Sequence, residues 1–403
     1  MKIIIAPDSF KGSLTALQAA DAIERGIMKA LEGINAYQKS IGQMNHKNVS
    51  RYIGLNLDVE IIKVPMADGG EGTVEALINA LGGKIVYTRV LNPLGSEIYS
   101  FFGILQDNTA IIEMAAASGL NLIKPEERNP LKTTTYGTGQ LIKAALDKGC
   151  SKIIIGIGGS ATNDGGVGMA QALGIKFLNK KGKEIGFGGG ELSKIEKIDI
   201  SELDSRVKIT QFTIASDVKN LLYGPNGASI VYGPQKGATP EMIDILDRNL
   251  MHLSEVFKKE LGKNISQIPG SGAAGGLGAA LIAFLDADIR SGVDIIMELT
   301  DFQKKIKDAD LIITGEGSTD FQTMFGKVPF GVARIAKKYG KPVICISGCL
   351  GEGYEKLYDV GITALFSIIN KPMTLEDAME RGGELLERVT ENIFRLSILG
   401  SKT

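Results

Sequence analysis

Strand-length apolar runs alternate with amphipathic segments at the amino end of the chain. Each run is followed by a polar loop and then by apolar residues at helical spacing, which predicts β-loop-α units. The predicted elements are strand Lys2–Ala6, loop Pro7–Ser13, helix Ala16–Leu31, strand Val59–Val64, loop Pro65–Gly72 and helix Thr73–Leu81. Between the two units, residues 33–56 are polar and lack periodicity, so we expect a surface loop there.

The carboxyl end repeats this order of strand, loop and helix. The predicted elements are strand Leu311–Thr314, helix Val328–Tyr339, strand Pro342–Ser347, loop Gly348–Gly353, strand Ala364–Ile368 and helix Leu375–Leu399. Strands that alternate with helices are typical of a parallel, doubly wound sheet. We therefore predict that both chain ends contribute to one such sheet.

The middle of the chain follows a different pattern. Ile85–Val90, Ile98–Leu105 and Ala110–Met114 are strand-like runs joined by short turns, which indicates an antiparallel meander. Further strands and helices follow: Ile153–Ile157, Ile175–Phe177, Thr210–Ala215, Gly137–Leu146, Met242–Leu261 and Ala273–Leu285. The prediction is an α/β protein with a doubly wound Rossmann-like parallel-sheet domain at 1–85 plus 291–403. A second α/β (α+β) domain is inserted at 86–290.

Composition narrows the class of protein. At 403 residues, the chain is long enough for two hydrophobic cores, and 44% apolar with 23% charged residues is typical of a globular protein. A net charge of −1 provides no basic surface for nucleic acid. The amino end, MKIIIAPDSF, is too short an apolar run for a signal peptide, and no run approaches the ~20 residues of a membrane span. Three cysteines without a C-x-x-C pair suit a reduced protein, so we expect a cytoplasmic location and no membrane partner.

Histidine chemistry is not indicated. The chain has two histidines, His46 and His252, and neither lies beside a glycine-rich turn. Acid–base work must therefore fall to carboxylates or lysines, which argues against a Ser-His-Asp hydrolase and against a zinc site.

Four segments share an apolar strand, a loop rich in Gly and Asp, and a following helix. They are Ala6–Ser13, Pro65–Thr73, Gly156–Gly166 and Leu311–Lys327. A loop that ends on a helix amino terminus offers N–H donors suited to phosphate. Acids repel a bare phosphate, so they indicate Mg²⁺ or a hydroxyl group to deprotonate. For each segment the alternative of simple helix capping stays open.

Individual side chains refine this hypothesis. Asp8 and Lys11 flank Ser9, where they could contact a hydroxyl group or metal and an anion, or form a local ion pair. Lys327 precedes a helix, where a cation is unfavourable against the helix dipole, so an anion-binding role is favoured. Asp217 follows a strand and is a metal or substrate candidate.

Two further patterns leave alternatives. Thr134 and Thr135 precede a helix, where their hydroxyls could hold a carboxylate or phosphate, or cap the helix. Residues Gly270–Gly275 match G-x-G-x-x-G but follow a weak strand candidate, Lys263–Ile268, so a close backbone approach is favoured over dinucleotide binding. The chain contains no G-x-x-x-x-G-K-[ST], which disfavours a Walker-type enzyme.

Seven motifs, in order along nearly the whole chain, resemble those of the class I glycerate kinase family of bacteria. They are APDSFKGSL, PMADGGEGTVEAL, NPLKTTTYGTGQLI, GIGGSATNDGGVGMAQALG, GPNGASIVYGPQKGA, PGSGAAGGLGAAL and GEGSTDFQTMFGKVP. The resemblance implies ATP and Mg²⁺ as cofactors, D-glycerate as substrate and 2-phospho-D-glycerate as product. It also implies two α/β domains, one inserted in the other, with the site between them. Two departures are the long 33–56 segment and Ser318, where the family usually has a basic residue.

On this resemblance we assign roles to the candidate side chains. Lys11 would hold the carboxylate of glycerate, Asp8 or Asp68 would accept the proton, and Lys327 would contact the transferring phosphoryl group. Asp217, Glu316 and Asp320 would hold Mg²⁺. The expected substrate and phosphate contacts are Ser9, Gly69, Gly70, Thr134, Thr135, Gly158, Gly159, Ser160, Asn163, Asp164, Gly315 and Gly317. The alternatives are a glycerate 3-kinase giving 3-phosphoglycerate, an NAD(P)-binding oxidoreductase and a non-catalytic sugar-acid sensor.

Overall fold

The computed structural model describes residues 1–42 and 58–400, and the chain divides into two compact units. Unit 1 comprises Met1–Ala67 and Ile296–Thr403, and unit 2 comprises Asp68–Ile295. The predicted domains, 1–85 plus 291–403 and 86–290, differ from these units chiefly in the placement of one helix. Helix Thr73–Leu81 packs against three strands of unit 2, which is why the boundary lies before it and not after it.

Strands and α-helices follow one another along the described residues. The strands are, in order, β1 (Lys2–Ile5), β2 (Glu60–Lys63), β3 (Gly83–Leu91), β4 (Glu97–Leu105), β5 (Thr109–Glu113), β6 (Lys152–Gly156), β7 (Lys176–Leu178), β8 (Lys197–Asp199), β9 (Gln211–Ala215), β10 (Asp288–Arg290), β11 (Leu311–Thr314), β12 (Ser318–Thr319), β13 (Val343–Ser347), β14 (Cys349–Leu350) and β15 (Ala364–Ser367). The α-helices are α1 (Ala16–Gly42), α2 (Thr73–Leu81), α3 (Ala115–Ser118), α4 (Tyr136–Asp147), α5 (Val167–Ala172), α6 (Ala228–Tyr232), α7 (Pro240–Leu261), α8 (Leu277–Leu285), α9 (Gly292–Leu299), α10 (Phe302–Ile306), α11 (Val328–Lys338), α12 (Leu357–Val360), α13 (Leu375–Glu380) and α14 (Gly382–Gly400).

Unit 1 is built on a five-stranded parallel sheet with the order β15-β13-β11-β1-β2. On one face, Ile3 of β1 and Ile313 of β11 pack with Ile23 of α1 and Leu386 of α14 in one hydrophobic core. Helix α11 packs against β11 and β13. The predicted doubly wound sheet made of both chain ends is therefore confirmed. From β1, the chain runs outwards to β2 on one side and to β11 on the other.

Two helices of unit 1 differ from the prediction. Helix α1 continues to Gly42, so residues 33–42 are helical where a loop was expected, and residues 43–57 lie outside the described residues. A Cβ at Gly26 of α1 would come within 2.5 Å of Glu387 O, so this glycine allows α1 to approach α14 closely. The predicted single helix Leu375–Leu399 is divided into α13 and α14, which are separated at Arg381, just before two consecutive glycines.

Unit 2 contains a mixed six-stranded sheet with the order β10-β9-β6-β5-β4-β3. Strands β3, β4 and β5 pair antiparallel, which confirms the predicted meander. Strands β5, β6, β9 and β10 pair parallel, so their carboxyl ends meet at one edge of the sheet. A large apolar core packs this sheet against α4, α5, α7 and α8.

The G-x-G-x-x-G match in unit 2 is a site of close backbone approach, as predicted. A Cβ at Gly272 would come within 2.0 Å of Leu221 O, and one at Gly275 within 2.1 Å of Thr162 O. The described residues just before it form turns and no strand, so the strand–turn–helix context of a dinucleotide site is missing there. Among the described residues, every helix is too short or too polar to cross a membrane.

Candidate active site

The point where the unit 1 sheet changes direction brings two predicted loops together. Strands β1 and β11 are neighbours whose chains continue to opposite sides, and ligands of open α/β sheets bind outside the carboxyl ends of such strands. The backbone N–H of Asp8 donates to Gly315 O at 2.8 Å. A Cβ at Gly317 would lie 3.3 Å from Lys11 N. Asp8 is buried, and its Oδ1 accepts a hydrogen bond from Ser9 N at 2.7 Å. Five predicted site residues therefore meet at this edge.

The carboxylate of Glu316 is buried and committed to its own loop. Its Oε1 accepts hydrogen bonds from the hydroxyls of Thr319 at 3.0 Å and Thr323 at 2.6 Å. Its Oε2 lies 3.5 Å from Lys327 Nζ. Burial raises the pKa of Glu316, and the charge of Lys327 opposes this shift. Glu316 therefore orients Lys327 through an ion pair. Because its oxygens already have these partners, the structure does not support the expected direct bond from Glu316 to Mg²⁺.

Asp320 also has a local role. Its Oδ1 accepts a hydrogen bond from Gln322 N at 2.7 Å, and its N–H donates to the Thr323 hydroxyl at 3.2 Å. Asp320 is the N-cap residue of the 3-10 helix Phe321–Phe325, and its bond to the Thr323 hydroxyl is one half of a capping box there. The capping alternative therefore accounts for Asp320 better than metal binding does. Ser318 is exposed and accepts a hydrogen bond from Cys349 Sγ at 3.3 Å.

In unit 2, the loop Asp68–Gly70 lies against the carboxyl ends of two parallel strands. A Cβ at Gly69 would come within 2.8 Å of Ala215 O at the end of β9. A Cβ at Gly156, at the end of β6, would come within 2.1 Å of Gly69 O. Only glycine permits backbones to approach this closely. The glycines predicted to approach a ligand are thus used, at least in part, to seat this loop on the sheet.

Three carboxylates gather at the same edge of unit 2. Asp217 follows β9, Asp68 lies in the adjacent loop, and Asp294 lies in the first turn of α9. The Asp217 carboxylate accepts hydrogen bonds from the Ser291 hydroxyl and the Gly292 N–H. Burial raises the pKa of Asp217 to about 6, and the charges of Asp68 and Asp294 add to the shift. A bound cation would relieve this mutual repulsion.

Glu113, at the end of β5, is a buried acid that the sequence analysis missed. Its carboxylate accepts hydrogen bonds from Val74 N at 2.7 Å and from Gly72 N. It therefore occupies N–H groups at the amino terminus of α2, which the sequence analysis offered to phosphate. Burial raises the pKa of Glu113 to about 7.

The raised pKa of Glu113 predicts a pH-dependent contribution to stability. The folded protein binds this proton more tightly than the unfolded chain, whose glutamate has a pKa of 4.5. The contribution is therefore complete below about pH 4.5 and is lost as pH rises through about 7. We expect Glu113→Gln to flatten the fall in Tm between about pH 5 and pH 8, measured by thermal unfolding. Parallel curves for wild type and variant would contradict this assignment.

Asp164 is completely buried and joins two helix amino termini. Its Oδ2 accepts hydrogen bonds from Thr135 N and Thr135 Oγ1, both at 2.8 Å, from Thr134 Oγ1 at 3.4 Å and from Gly168 N at 3.3 Å. Its Oδ1 accepts from Gly166 N at 3.1 Å. The threonines do hold a carboxylate, as one alternative proposed, but it belongs to the protein. Thr134, Thr135 and Asp164 thus have a structural role in this fold, and their expected ligand contacts stay a prediction.

A buried lysine holds the same glycine-rich loop. Lys236 is 1% exposed, and its Nζ donates to Thr162 O at 2.6 Å. Burial lowers the pKa of Lys236 to about 7, and the nearby charge of Asp164 opposes this shift. The neighbouring Asn163 is also buried, and its Nδ2 donates to Ser229 Oγ at 3.0 Å. Its expected ligand contact is therefore not supported either.

The beginning of this loop remains accessible. Gly158 and Gly159 are exposed just beyond β6, whereas Ser160 is buried and forms a backbone bridge with Gly119. A Cβ at Gly158 would lie 3.1 Å from Gly70 Cα. The two exposed glycines are thus the part of the loop that a ligand can approach.

The carboxylates of the described residues can be examined as possible ligands of Mg²⁺. Across residues 1–42 and 58–400, no group of three or more His, Cys, Asp or Glu side chains forms a ready-made metal site. Mg²⁺ does not need such a cage, because it is commonly bound by one or two carboxylates, substrate phosphates and water. The charge of Asp68 acts on the carboxyl group of Asp217, and two neighbouring carboxylates suit this mode of binding.

Sequence reasoning missed several residues that shape the site. Glu113 ends a strand that is otherwise apolar or hydroxyl-bearing, and that lone acid was a usable signal. Lys236 lies in the segment Pro234–Gly237, a turn-like sequence where lysine normally faces solvent, so the sequence contains no sign of its burial. The role of Thr319 and Thr323 is visible only in the structure, where both hydroxyls donate to Glu316 Oε1.

The sequence and the fold of this chain both match those of one protein family. The sequence profile of the glycerate kinase family matches residues 3–398. A glycerate kinase of Halalkalibacterium halodurans is 49% identical over 402 residues, covering 100% of this chain and 99% of that protein. A glycerate 2-kinase of Escherichia coli K12 is 47% identical over 403 residues, covering 100% and 99%. The crystal structure of a candidate glycerate kinase 2 from Salmonella typhimurium LT2 superposes with a TM-score of 0.83 at 45% identity, covering 100% of both chains. The chain belongs to the glycerate kinase family.

Proposed function

We propose that this protein is an ATP-dependent glycerate kinase that transfers the γ-phosphoryl group to the 2-hydroxyl of D-glycerate. The observation that carries the proposal is 47% identity over the full chain to a protein named glycerate 2-kinase. The three cysteines are free thiols, which suits action in the reducing cytoplasm.

In unit 1, the edge beyond β1 and β11 supports a site for anionic groups. Lys11 lies in the loop that contacts Gly317, and Lys327 is oriented by Glu316. We propose that Lys11 holds the carboxylate of glycerate and that Lys327 contacts the transferring phosphoryl group. Asp8 lies in the same loop as Lys11 and would accept the proton of the attacking hydroxyl. Phosphoryl transfer depends mainly on such positioning and on charge neutralisation.

In unit 2, Asp68 and Asp217 are the proposed Mg²⁺ ligands. Their proximity and the raised pKa of Asp217 fit a pair of carboxylates that share a cation. When bound, Mg²⁺ neutralises charge on the β- and γ-phosphates. Glu316 and Asp320 are omitted from this proposed set, because Glu316 orients Lys327 and Asp320 caps a helix.

A coupled assay tests the function and the regiochemistry together. The purified protein is incubated with ATP, Mg²⁺ and D-glycerate, and product is detected with enolase, which consumes only the 2-phosphate. We expect a signal with enolase alone. A signal that also requires phosphoglycerate mutase would indicate the 3-phosphate and the alternative 3-kinase. No product in either arm would refute the kinase assignment.

A further inference from the structure

Two exposed aromatic side chains lie on the short segment between Asp320 and Lys327. Phe321 is 47% exposed and Phe325 is 73% exposed. Their ring centroids are 6.5 Å apart, with an angle of 89° between the ring planes. A single exposed apolar residue needs no explanation, but two on one helical turn form a local aromatic surface. We call Phe321 and Phe325 the aromatic pair.

The segment that carries the aromatic pair is firmly held. Thr323, between the two phenylalanines, is buried and donates to Glu316 at 2.6 Å. Phe321 N donates to Glu352 O at 2.9 Å, and a Cβ at Gly353 would lie 3.1 Å from Phe321 Cβ. The exposure of the rings is therefore a property of an anchored helix, whose inward side is committed to Glu316.

The position of the pair relates it to the phosphate site of unit 1. Lys327 follows Phe325 by two residues, and Glu316 contacts both Thr323 and Lys327. One buried carboxylate thus fixes the aromatic surface and the ammonium group relative to each other. A nucleoside triphosphate presents the matching pair of features, since its phosphates attract an ammonium group and its base offers an aromatic face for stacking.

We propose that Phe321 and Phe325 form the stacking surface for the base of the nucleotide that donates the phosphoryl group, with Lys327 on its phosphates. The proposal rests on the proposed kinase function and extends it, because it assigns recognition of the base to residues that no phosphate contact requires. The pair selects for a nucleotide over inorganic polyphosphate, and it does so within unit 1 alone.

A tryptophan substitution tests this assignment without relying on activity. The chain contains no tryptophan, so Phe325→Trp introduces a single indole whose emission can be followed selectively. We expect its fluorescence to be quenched saturably by ATP and to remain unchanged with tripolyphosphate. Tyr99→Trp is the matched control, since Tyr99 is 71% exposed in unit 2, and it should respond to neither. Equal responses of Phe325→Trp to ATP and tripolyphosphate would overturn the stacking role.

Steady-state kinetics provide the second measurement. Phe325→Ala should raise KM for ATP by roughly 5–150-fold, the range that loss of one base–aromatic stack gives, with kcat and KM for D-glycerate within about twofold of wild type. An unchanged KM for ATP would overturn the proposal, and an altered oligomeric state alongside it would assign the aromatic pair to a protein contact instead. Quenching by ATP in a protein without kinase activity would instead support the stacking surface and reject the proposed reaction.

Discussion

Asp217→Asn is expected to lower kcat for phosphoryl transfer about 10²–10⁴-fold and to raise the Mg²⁺ concentration needed for half-maximal rate. Asp217 lies beside Asp68 and Asp294, and removal of its charge weakens the proposed hold on the cation. An asparagine retains the shape of the side chain and can still accept the Ser291 hydroxyl bond. The measurement is a Mg²⁺ titration of the coupled assay at saturating ATP and D-glycerate.

Asp320→Asn is the matched control for this variant. The sequence suggested both aspartates as metal ligands, but the structure shows Asp320 capping the helix at Phe321. Asparagine caps a helix about as well as aspartate does, so activity and Mg²⁺ requirement should stay near wild type. Equal losses in the two variants would contradict the structural distinction and restore Asp320 as a ligand candidate.

Asp164→Ala is expected to destabilise the protein by about 3–5 kcal/mol, the cost of removing one partner from a buried charged network. Five hydrogen bonds from Thr134, Thr135, Gly166 and Gly168 end on this carboxylate, and their donors would lose their acceptor inside the core. Lys236 would also lose its opposing charge. Thermal unfolding should show a fall in Tm of roughly 10 °C.

Asp288→Ala provides the reference for an acid that stabilises little. Asp288 is exposed at the start of β10, in the same unit as Asp164. A surface substitution of this kind usually changes stability by less than about 0.5 kcal/mol. Similar Tm values for the two variants would show that the Asp164 network contributes far less than its burial suggests.

The alternation of strands and helices predicted the architecture of unit 1, because apolar periodicity reports burial directly. The prediction failed where a helix lacks regularly spaced apolar residues. Residues 33–42 are polar, yet they extend α1, and nothing in their spacing announces that helix. The predicted boundary after residue 85 differs from the division at Ala67, because helix Thr73–Leu81 has the same local pattern whichever sheet it covers.

The sequence identified which residues lie near the site better than it identified what each of them does. Acids after strands were identified as candidates, and Asp8, Gly315 and Gly317 do meet at one edge. Which acids face inwards could not be predicted, because Asp164 bonds to threonines about 30 residues away and the partners of Glu316 in its own loop depend on how that loop folds. A capping carboxylate and a ligand-binding carboxylate occupy the same position after a strand, so only three-dimensional partners distinguish them.

The inner position of β1 in its sheet, between β11 and β2, has a consequence for synthesis of the protein. Ile3 pairs with Leu311, so β1 receives β11 as its second neighbour only after some 300 further residues have been made. At ~5–20 residues per second, the ribosome needs about 15–60 s for that stretch. All of Asp68–Ile295 emerges in the meantime. We therefore expect unit 2 to fold first on the nascent chain. Until β11 is made, the edge of β1 that will pair with it stays exposed, and chaperones can bind this apolar edge.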